Sequence, residues 1–232
     1  MKKYLLLLII VLQACSADES FDFKSPSGLS FYFDVNREAS KNGRLLFNDG
    51  FILISRLQLE GDRVQAEDYF FQNGYQPPIL AELDSNAYNP QLQFDFPQGI
   101  YNRIEFEFEI PSSNITVLQV DGQFKDSTGA WIPIRLEVSS FELFQVLAAD
   151  REGEQEIVIE DQFSYSAFIR LNTVHWFSGI SIAQLEAADR TIINGQSGIL
   201  ISDNQNTAIY NEVDDRLDEL NSLSIRWALR TS

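Results

Sequence analysis

Histidine, cysteine and methionine each occur once in this chain of 232 residues. Zinc sites are built from several Cys and His side chains, so simple counting excludes one of that type. A Ser-His-Asp triad would have to use His175, whose neighbourhood is apolar and aromatic; we interpret it as a histidine at a strand end, bonded to backbone. No nucleophile elbow, Walker loop or dinucleotide fingerprint is present. The sequence therefore predicts a protein that is not an enzyme.

Basic residues are also scarce. Lys and Arg total 17 against 34 Asp and Glu, which gives a formal net charge of −17 at pH 7. Such a charge repels phosphate backbones and anionic lipid surfaces, so we expect no nucleic-acid partner. Oxygen ligands for calcium are plentiful, and loops at Asp126 and Asp203 could supply some of them. Asp, Asn and Gly are equally what turns and helix caps require, which is the interpretation we favour, with no bound metal or cofactor.

No apolar run is long enough to cross a membrane as a helix. The longest, residues 4–12, falls far short of the roughly 18 residues required. It follows Lys2 and Lys3, a combination typical of a secretory signal. It leads into Leu12-Gln13-Ala14-Cys15, which resembles a bacterial lipobox. That resemblance implies cleavage of a signal peptide, residues 1–14, and acyl chains such as palmitate on Cys15, two or more of which hold a protein stably on a membrane.

An acidic pair, Asp18 and Glu19, follows the cysteine. It resembles the export signal of Bacteroidota lipoproteins that are sent to the outer face of the outer membrane. The implied location is the bacterial outer membrane, with the protein anchored by lipid and facing the cell surface. The alternative is that the pair belongs only to a solvated tether, which we place at residues 15–27.

The remaining chain predicts one β-rich domain, residues 28–232. Its clearest strand is residues 104–110, where Ile and Phe alternate with Glu. Consecutive Glu side chains on one face would repel, so the neighbouring strand should offer cations or neutral polar groups. Many short strands with regular turn signals predict an antiparallel β-sandwich, immunoglobulin-like or transthyretin-like.

Turn, loop and helix signals interrupt the strand pattern at a few places. Asn73-Gly74 predicts a hairpin turn, and the proline-containing stretch Gln76 to Pro90 predicts a long loop. A helical insertion near the C-terminus is predicted at residues 181–189 and, from an amphipathic stripe, at residues 204–220. Asp203 would be an N-cap of the second helix.

Pro97, Gly99 and Tyr101 open the strongest strand as a Pro-x-Gly-x-Tyr segment. This segment resembles transthyretin-like and immunoglobulin-like modules. Together with the lipobox it is similar to the small, uncharacterised β-sandwich lipoproteins of Bacteroidota. Fimbrillin-like stalk subunits share these features but have longer chains. The resemblance covers about residues 29–138 and carries over no functional residue.

Aromatic side chains supply the candidate binding residues. Tyr75 and Tyr88, beside or in the predicted long loop, and Trp176 are candidates for a platform that stacks on sugar rings, whereas Trp131 and Trp227 are predicted to lie in the core. The sequence thus favours a lipid-anchored, non-enzymatic binding protein of unknown ligand. The first alternative is a structural adhesin- or fimbria-associated subunit, which would interact with an envelope protein. Further alternatives are a glycan-capturing lipoprotein and a hydrolase with a carboxylate pair.

Overall fold

The computed structural model describes residues 26–150, 156–219 and 221–229. The β-strands are β1 (Ser27–Val35), β2 (Leu45–Arg63), β3 (Tyr69–Glu82), β4 (Gln93–Phe96), β5 (Gly99–Ile110), β6 (Leu118–Lys125), β7 (Trp131–Val138), β8 (Glu142–Asp150), β9 (Ile157–Ile159), β10 (Phe163–Leu171), β11 (Arg190–Ile193), β12 (Gln196–Ile201) and β13 (Ser222–Leu229). The helices are α1 (Thr173–Trp176), α2 (Ile182–Ala187) and α3 (Thr207–Asp214), and one 3₁₀ turn spans Pro90–Leu92. The predicted signal peptide, Cys15, Asp18 and Glu19 lie outside the described residues.

The strands form two sheets that face each other, which confirms the predicted β-sandwich. Their order is β11-β12-β7-β6-β2-β5-β8-β13-β10-β1-β4, with β3 paired to β2 and β9 paired to β5. Strand β8 joins the two sheets, because it pairs with β5 in one and with β13 in the other. Most pairings are antiparallel, but β1 with β10, β7 with β12 and β8 with β13 are parallel.

Aromatic side chains fill the space between the sheets. The ring of Phe31 on β1 stacks on that of Phe106 on β5, with centroids 4.5 Å apart. Phe33 meets Phe108 edge-on at 5.2 Å. All four rings are buried, as the alternation along both strands predicts. The predicted strand at residues 104–110 is thereby confirmed.

The outer face of β5 carries the glutamates. The prediction of cationic or neutral neighbours holds in part: Arg56 on β2 forms an ion pair with Glu109, and Gln145 on β8 donates to Glu105 and, at 3.3 Å, to Glu107. It is wrong at Glu105, whose register partner on β2 is another acid, Glu60. Burial, followed by repulsion from Glu105, raises the pKa of Glu107. The neighbouring strands thus offset only part of the like-charge repulsion on this face.

The helical insertion near the C-terminus is confirmed with shorter helices. Helix α2 begins at a capping box between Ser181 and Gln184. Helix α3 is only eight residues long, and its N-cap is Asn206 rather than Asp203, so that predicted cap is wrong. The chain continues in turns from Asp215 to Glu219. Acidic side chains at this end oppose the helix dipole, which explains why the predicted helix stops early.

The predicted hairpin turn at Asn73-Gly74 is wrong, and the loop predicted from Gln76 to Pro90 begins only at Leu83, because β3 is longer than these turn-forming residues suggest. Gly74 pairs with Arg56 inside the strand, and the strand continues past two prolines to Glu82. Residues 75–78 bulge out opposite Ser55, where the register shifts. Within the described chain β3 pairs only with β2, so the prolines sit on an edge strand where no donor is required.

Strand β2 is also continuous where Asn48-Asp49-Gly50 signals a turn. The pairing register shifts between Phe47 and Asp49, so the strand forms a β-bulge here instead of a turn. Gly50 has a φ of +155° there, and a Cβ atom at this position would lie 2.1 Å from the carbonyl oxygen of Gln119 on β6. Glycine is therefore required for β2 to pass this point while paired with β6.

Candidate binding site

Three aromatic side chains form a cluster on the outer surface of the β1–β10 pair. Tyr32 and Phe168 are register partners, and their neighbours along each strand point into the core. Tyr32 and Phe168 therefore face outwards, and their rings stack with centroids 5.2 Å apart and planes 18° apart. Both are partly exposed. We call Tyr32, Phe168 and Tyr88 the aromatic cluster.

Tyr88 reaches the cluster from the loop between β3 and β4. Its ring centroid is 6.4 Å from that of Tyr32, and 53% of the residue is exposed. The hydroxyl donates to Oε1 of Gln93 at 2.6 Å. The next residue, Asn89, donates to the carbonyl oxygen of Leu80 at 3.0 Å and accepts from the backbone of Gln91. These bonds fix the loop, so the Tyr88 ring is presented from a defined position.

Hydroxyl groups surround the stacked pair. Ser30 precedes Tyr32 by two residues and therefore lies on the same face of β1, and its register partner on β10 is Ser166. On the other side of β10, Ser224 of β13 is the register partner of Phe168. Their hydroxyls have no hydrogen-bond partner within the described part of the chain. Each can donate one hydrogen bond and accept others, so this surface offers hydroxyl groups beside its rings.

A groove of about 320 Å³ adjoins the cluster at Tyr88. It lies between β1 and β3, and the residues that line it include Phe33, Leu80, Glu82, Tyr88, Pro90 and Leu92. Strand β4 pairs with β1 only as far as Ser30, so in the described structure residues 31–35 have no strand on that side. The outer edge of β3 is likewise without a strand partner there.

Arg37 closes one end of this groove. Its guanidinium donates to the Asp34 carboxylate at 2.9 Å and to the backbone oxygen of Leu83 at 3.1 Å, and it also contacts the backbone oxygen of Asn48. A single side chain thus ties the end of β1 to β2 and to the end of β3. The groove is open where Tyr88 and the 3₁₀ turn flank it.

The structure brings together only part of the predicted platform. Tyr88 is exposed as expected, but Trp176 is fully buried in α1 and cannot meet a ligand. Tyr75 lies in β3 rather than in a loop, is only partly exposed, and makes no ring contact with Tyr88 in the described structure. Tyr32 and Phe168 were not predicted as binding residues. The alternation in β1 does indicate that Tyr32 faces outwards, because it lies between two inward-facing phenylalanines.

The other tryptophans differ from expectation as well. Trp131, predicted to be core, is 45% exposed, and the Lys125 ammonium lies 5.7 Å from its ring centroid. The even-numbered residues Ile134 and Leu136 of β7 are buried. Trp131 occupies an odd-numbered position of the same strand and therefore faces outwards. The side chain of Trp227 lies outside the described part of the chain.

Both candidate calcium ligands, Asp126 and Asp203, accept hydrogen bonds from groups of the protein. Oδ1 of Asp126 accepts from the backbone of Thr128 and Ala130 and from the Thr128 hydroxyl, which lowers the pKa of this carboxyl. Asp203 accepts from Ser139 at 2.9 Å and from Asn204 at 2.6 Å. Both patterns are those of turns. In the residues described, no group of three or more His, Cys, Asp and Glu side chains is placed to hold a metal ion.

His175 lies in α1 rather than at a strand end. Its Nε2 atom is 2.9 Å from Oε2 of Glu219, so the partner is a side chain instead of the expected backbone. The pair links α1 to the turns that follow α3.

A group of acidic side chains lies where α3 meets the start of β8. The Ser140 hydroxyl donates to Glu142 at 3.0 Å and is 3.3 Å from the Tyr210 hydroxyl. Burial, followed by repulsion from Asp214 and Asp218, raises the pKa of Glu142. Burial also raises the pKa of Asp214, whose Oδ1 atom is buried without a hydrogen-bond partner in the described structure. Ionised carboxylates at these positions oppose folding.

Neutral replacements at this site are therefore expected to stabilise the protein at neutral pH. A carboxyl whose pKa is raised in the folded state favours folding when protonated, and that advantage is lost as pH rises through the folded pKa. Glu142→Gln and Asp214→Asn should raise the melting temperature at about pH 7 and change it much less at about pH 3, below the ordinary pKa values of both carboxyls, where each is protonated in the folded and the unfolded chain. Thermal melts followed by circular dichroism measure this. The exposed Glu38→Gln is the control, and an equal effect at both pH values would contradict the explanation.

Comparisons with known proteins give no relative from which a role could be transferred: no family model, curated protein or solved structure matches this chain. Within the described residues, no helix has the length and apolar character needed to span a bilayer.

Proposed function

We propose that this protein is a lipid-anchored, non-enzymatic binding protein of the bacterial outer membrane, facing the cell surface. The lipobox-like sequence before Cys15 and the acidic pair after it support the anchor and the location. The observation that carries a binding role is the aromatic cluster. Partly exposed rings held on paired strands and a fixed loop, beside serine hydroxyls, are typical of a surface that recognises a ligand.

Loss of the acylated sulfur should release the protein from the membrane. Cys15→Ser is expected to abolish incorporation of a labelled palmitate analogue and to move the protein from the membrane pellet to the soluble fraction, because no acyl chain remains. Metabolic labelling followed by fractionation measures both. Ser16→Ala is the matched control. A Cys15→Ser protein that remains labelled and sedimenting would contradict the anchor.

Display on the cell surface is tested separately by protease treatment of intact cells. The protein should be cleaved in wild-type cells and protected when Asp18 and Glu19 are both replaced by alanine. Asp22→Ala, another acidic change in the tether, should leave cleavage unchanged. If intact cells protect the wild-type protein while lysed cells do not, it faces the periplasm and the proposed orientation is wrong.

A structural subunit is the second candidate, and the unpaired edges of β1 and β3 favour it. An extended strand from another protein could add to such an edge through main-chain hydrogen bonds. Hydrogen exchange distinguishes the two roles: a donated strand would slow exchange at the backbone amide of Phe33, on the unpaired part of β1. A ligand on the aromatic cluster would leave that amide unchanged.

A further inference from the structure

The aromatic cluster combines an apolar surface with hydroxyls in a way that limits which ligands fit it. Tyr32 and Phe168 supply a stacked pair, and Tyr88 adds a third ring tilted by 45° to that of Tyr32. The flat face of an aromatic ring makes its largest apolar contact with another flat surface. A ligand for this surface should therefore carry at least one flat apolar face.

The serine hydroxyls add a second requirement. Ser30, Ser166 and Ser224 lie on the same outer face within one register step of the rings. A hydroxyl both donates and accepts, so it pairs best with groups that do the same. A pyranose ring has apolar C–H faces and hydroxyls around its rim. Its chemistry matches both parts of this surface at once.

The charges on these strands argue for a neutral ligand. Arg37 pairs with the Asp34 carboxylate, which leaves Arg170 as an exposed cation two residues after Phe168. One cation on β1 and β10 is weak support for an anion against a chain of net charge −17. On β13 the register partner of Ser166 is Arg226, whose side chain lies outside the described part of the structure. A cationic ligand finds no unpaired carboxylate on the described parts of β1 and β10, since Asp34 is their acidic side chain.

We infer that the aromatic cluster binds a neutral saccharide, through ring stacking on Tyr32, Phe168 and Tyr88 and hydrogen bonds to the neighbouring serines. This inference rests on the proposed binding function and names its ligand class. A proline-rich peptide also stacks on aromatic rings. It needs few hydroxyl partners, however, so the serines favour the saccharide.

Calorimetric titration of the acylated, full-length mature protein in detergent micelles tests the inference. The probes are short neutral oligosaccharides of glucose, mannose, xylose and N-acetylglucosamine, with oligogalacturonate as the anionic probe and decaproline as the peptide probe. The variants are Tyr88→Ala, in a loop, and Tyr32→Leu, which keeps apolar bulk on the strand but removes the ring. Trp131→Ala is the matched control, because Trp131 is exposed to a similar extent and lies on β7, away from the cluster.

At least one neutral oligosaccharide should bind, and each cluster variant should weaken its affinity about 3- to 10-fold while Trp131→Ala leaves it unchanged. The inference is overturned if no neutral oligosaccharide binds, if only oligogalacturonate or decaproline binds, or if Trp131→Ala weakens binding as much as the cluster variants. Circular dichroism confirms that each variant is folded. Failure here leaves palmitate labelling and protease accessibility intact, so it is distinguishable from failure of the proposed anchor and location.

Discussion

Replacing Phe106 by alanine is expected to destabilise the folded protein by about 3–5 kcal/mol, the range found for large aromatic truncations in cores. Phe106 is 1% exposed and touches three other rings, those of Phe31, Phe33 and Phe108. Its removal leaves a cavity between the two sheets, where neither can collapse without disturbing its own pairing. Urea unfolding followed by circular dichroism measures the loss.

The control for this prediction lies on the outer face of the neighbouring hairpin. Phe70 on β3 is 58% exposed, so Phe70→Ala should change the free energy of unfolding by less than about 0.5 kcal/mol. Phe106→Leu, which leaves a smaller cavity, gives a measurable intermediate if the alanine variant does not fold. Equal losses for Phe106→Ala and Phe70→Ala would show that the rings between the sheets do not dominate stability.

Gly50→Ala is expected to cost about 3 kcal/mol, from a strained backbone and an overpacked contact together. The new Cβ would lie 2.1 Å from a backbone oxygen of β6 and 3.0 Å from the Leu83 side chain. The backbone oxygen cannot rotate away as a side chain could. Relief requires β2 and β6 to separate at the bulge, which breaks ladder hydrogen bonds.

Two other glycines separate the contribution of backbone strain from that of the steric contact. Gly43 has a φ of +67° with nothing within 4 Å of its would-be Cβ, so Gly43→Ala isolates backbone strain at about 1 kcal/mol. Gly74 has no positive φ and its nearest neighbour is 3.9 Å away, so Gly74→Ala should have almost no effect. If Gly50→Ala costs no more than Gly43→Ala, contact with β6 is not limiting.

The parts of the fold that the sequence predicted are those determined by local alternation. Strand β5 and the inward residues of β1 follow from period-two patterning, and α2 follows from the helical composition of residues 181–189. The errors came where tertiary contacts override local signals. Pro77 and Pro78 read as loop, yet an edge strand tolerates them because its outer side needs no donors.

The candidate site was only partly predictable because its residues come from distant parts of the chain. Tyr88 could be proposed from an exposed loop alone. Tyr32 and Phe168 meet only because β1 pairs in parallel with β10, and no local pattern specifies which strands become neighbours. Trp176 shows the converse: an aromatic residue proposed for the surface is buried where α1 packs against β2.

The pairing of β1 with β10 also determines the order in which the molecule can fold. The first strand of the domain finds its longest partner only after most of the chain is available, because β10 spans Phe163–Leu171. Pairings this distant in sequence close large loops and slow folding. Pairing among strands β2, β3, β5 and β6 can occur earlier. The apolar face of β1 remains exposed to solvent during that time. A chain that folds from its N-terminus while it is being synthesised therefore cannot complete this domain progressively, and its first strand needs protection from aggregation until β10 is available.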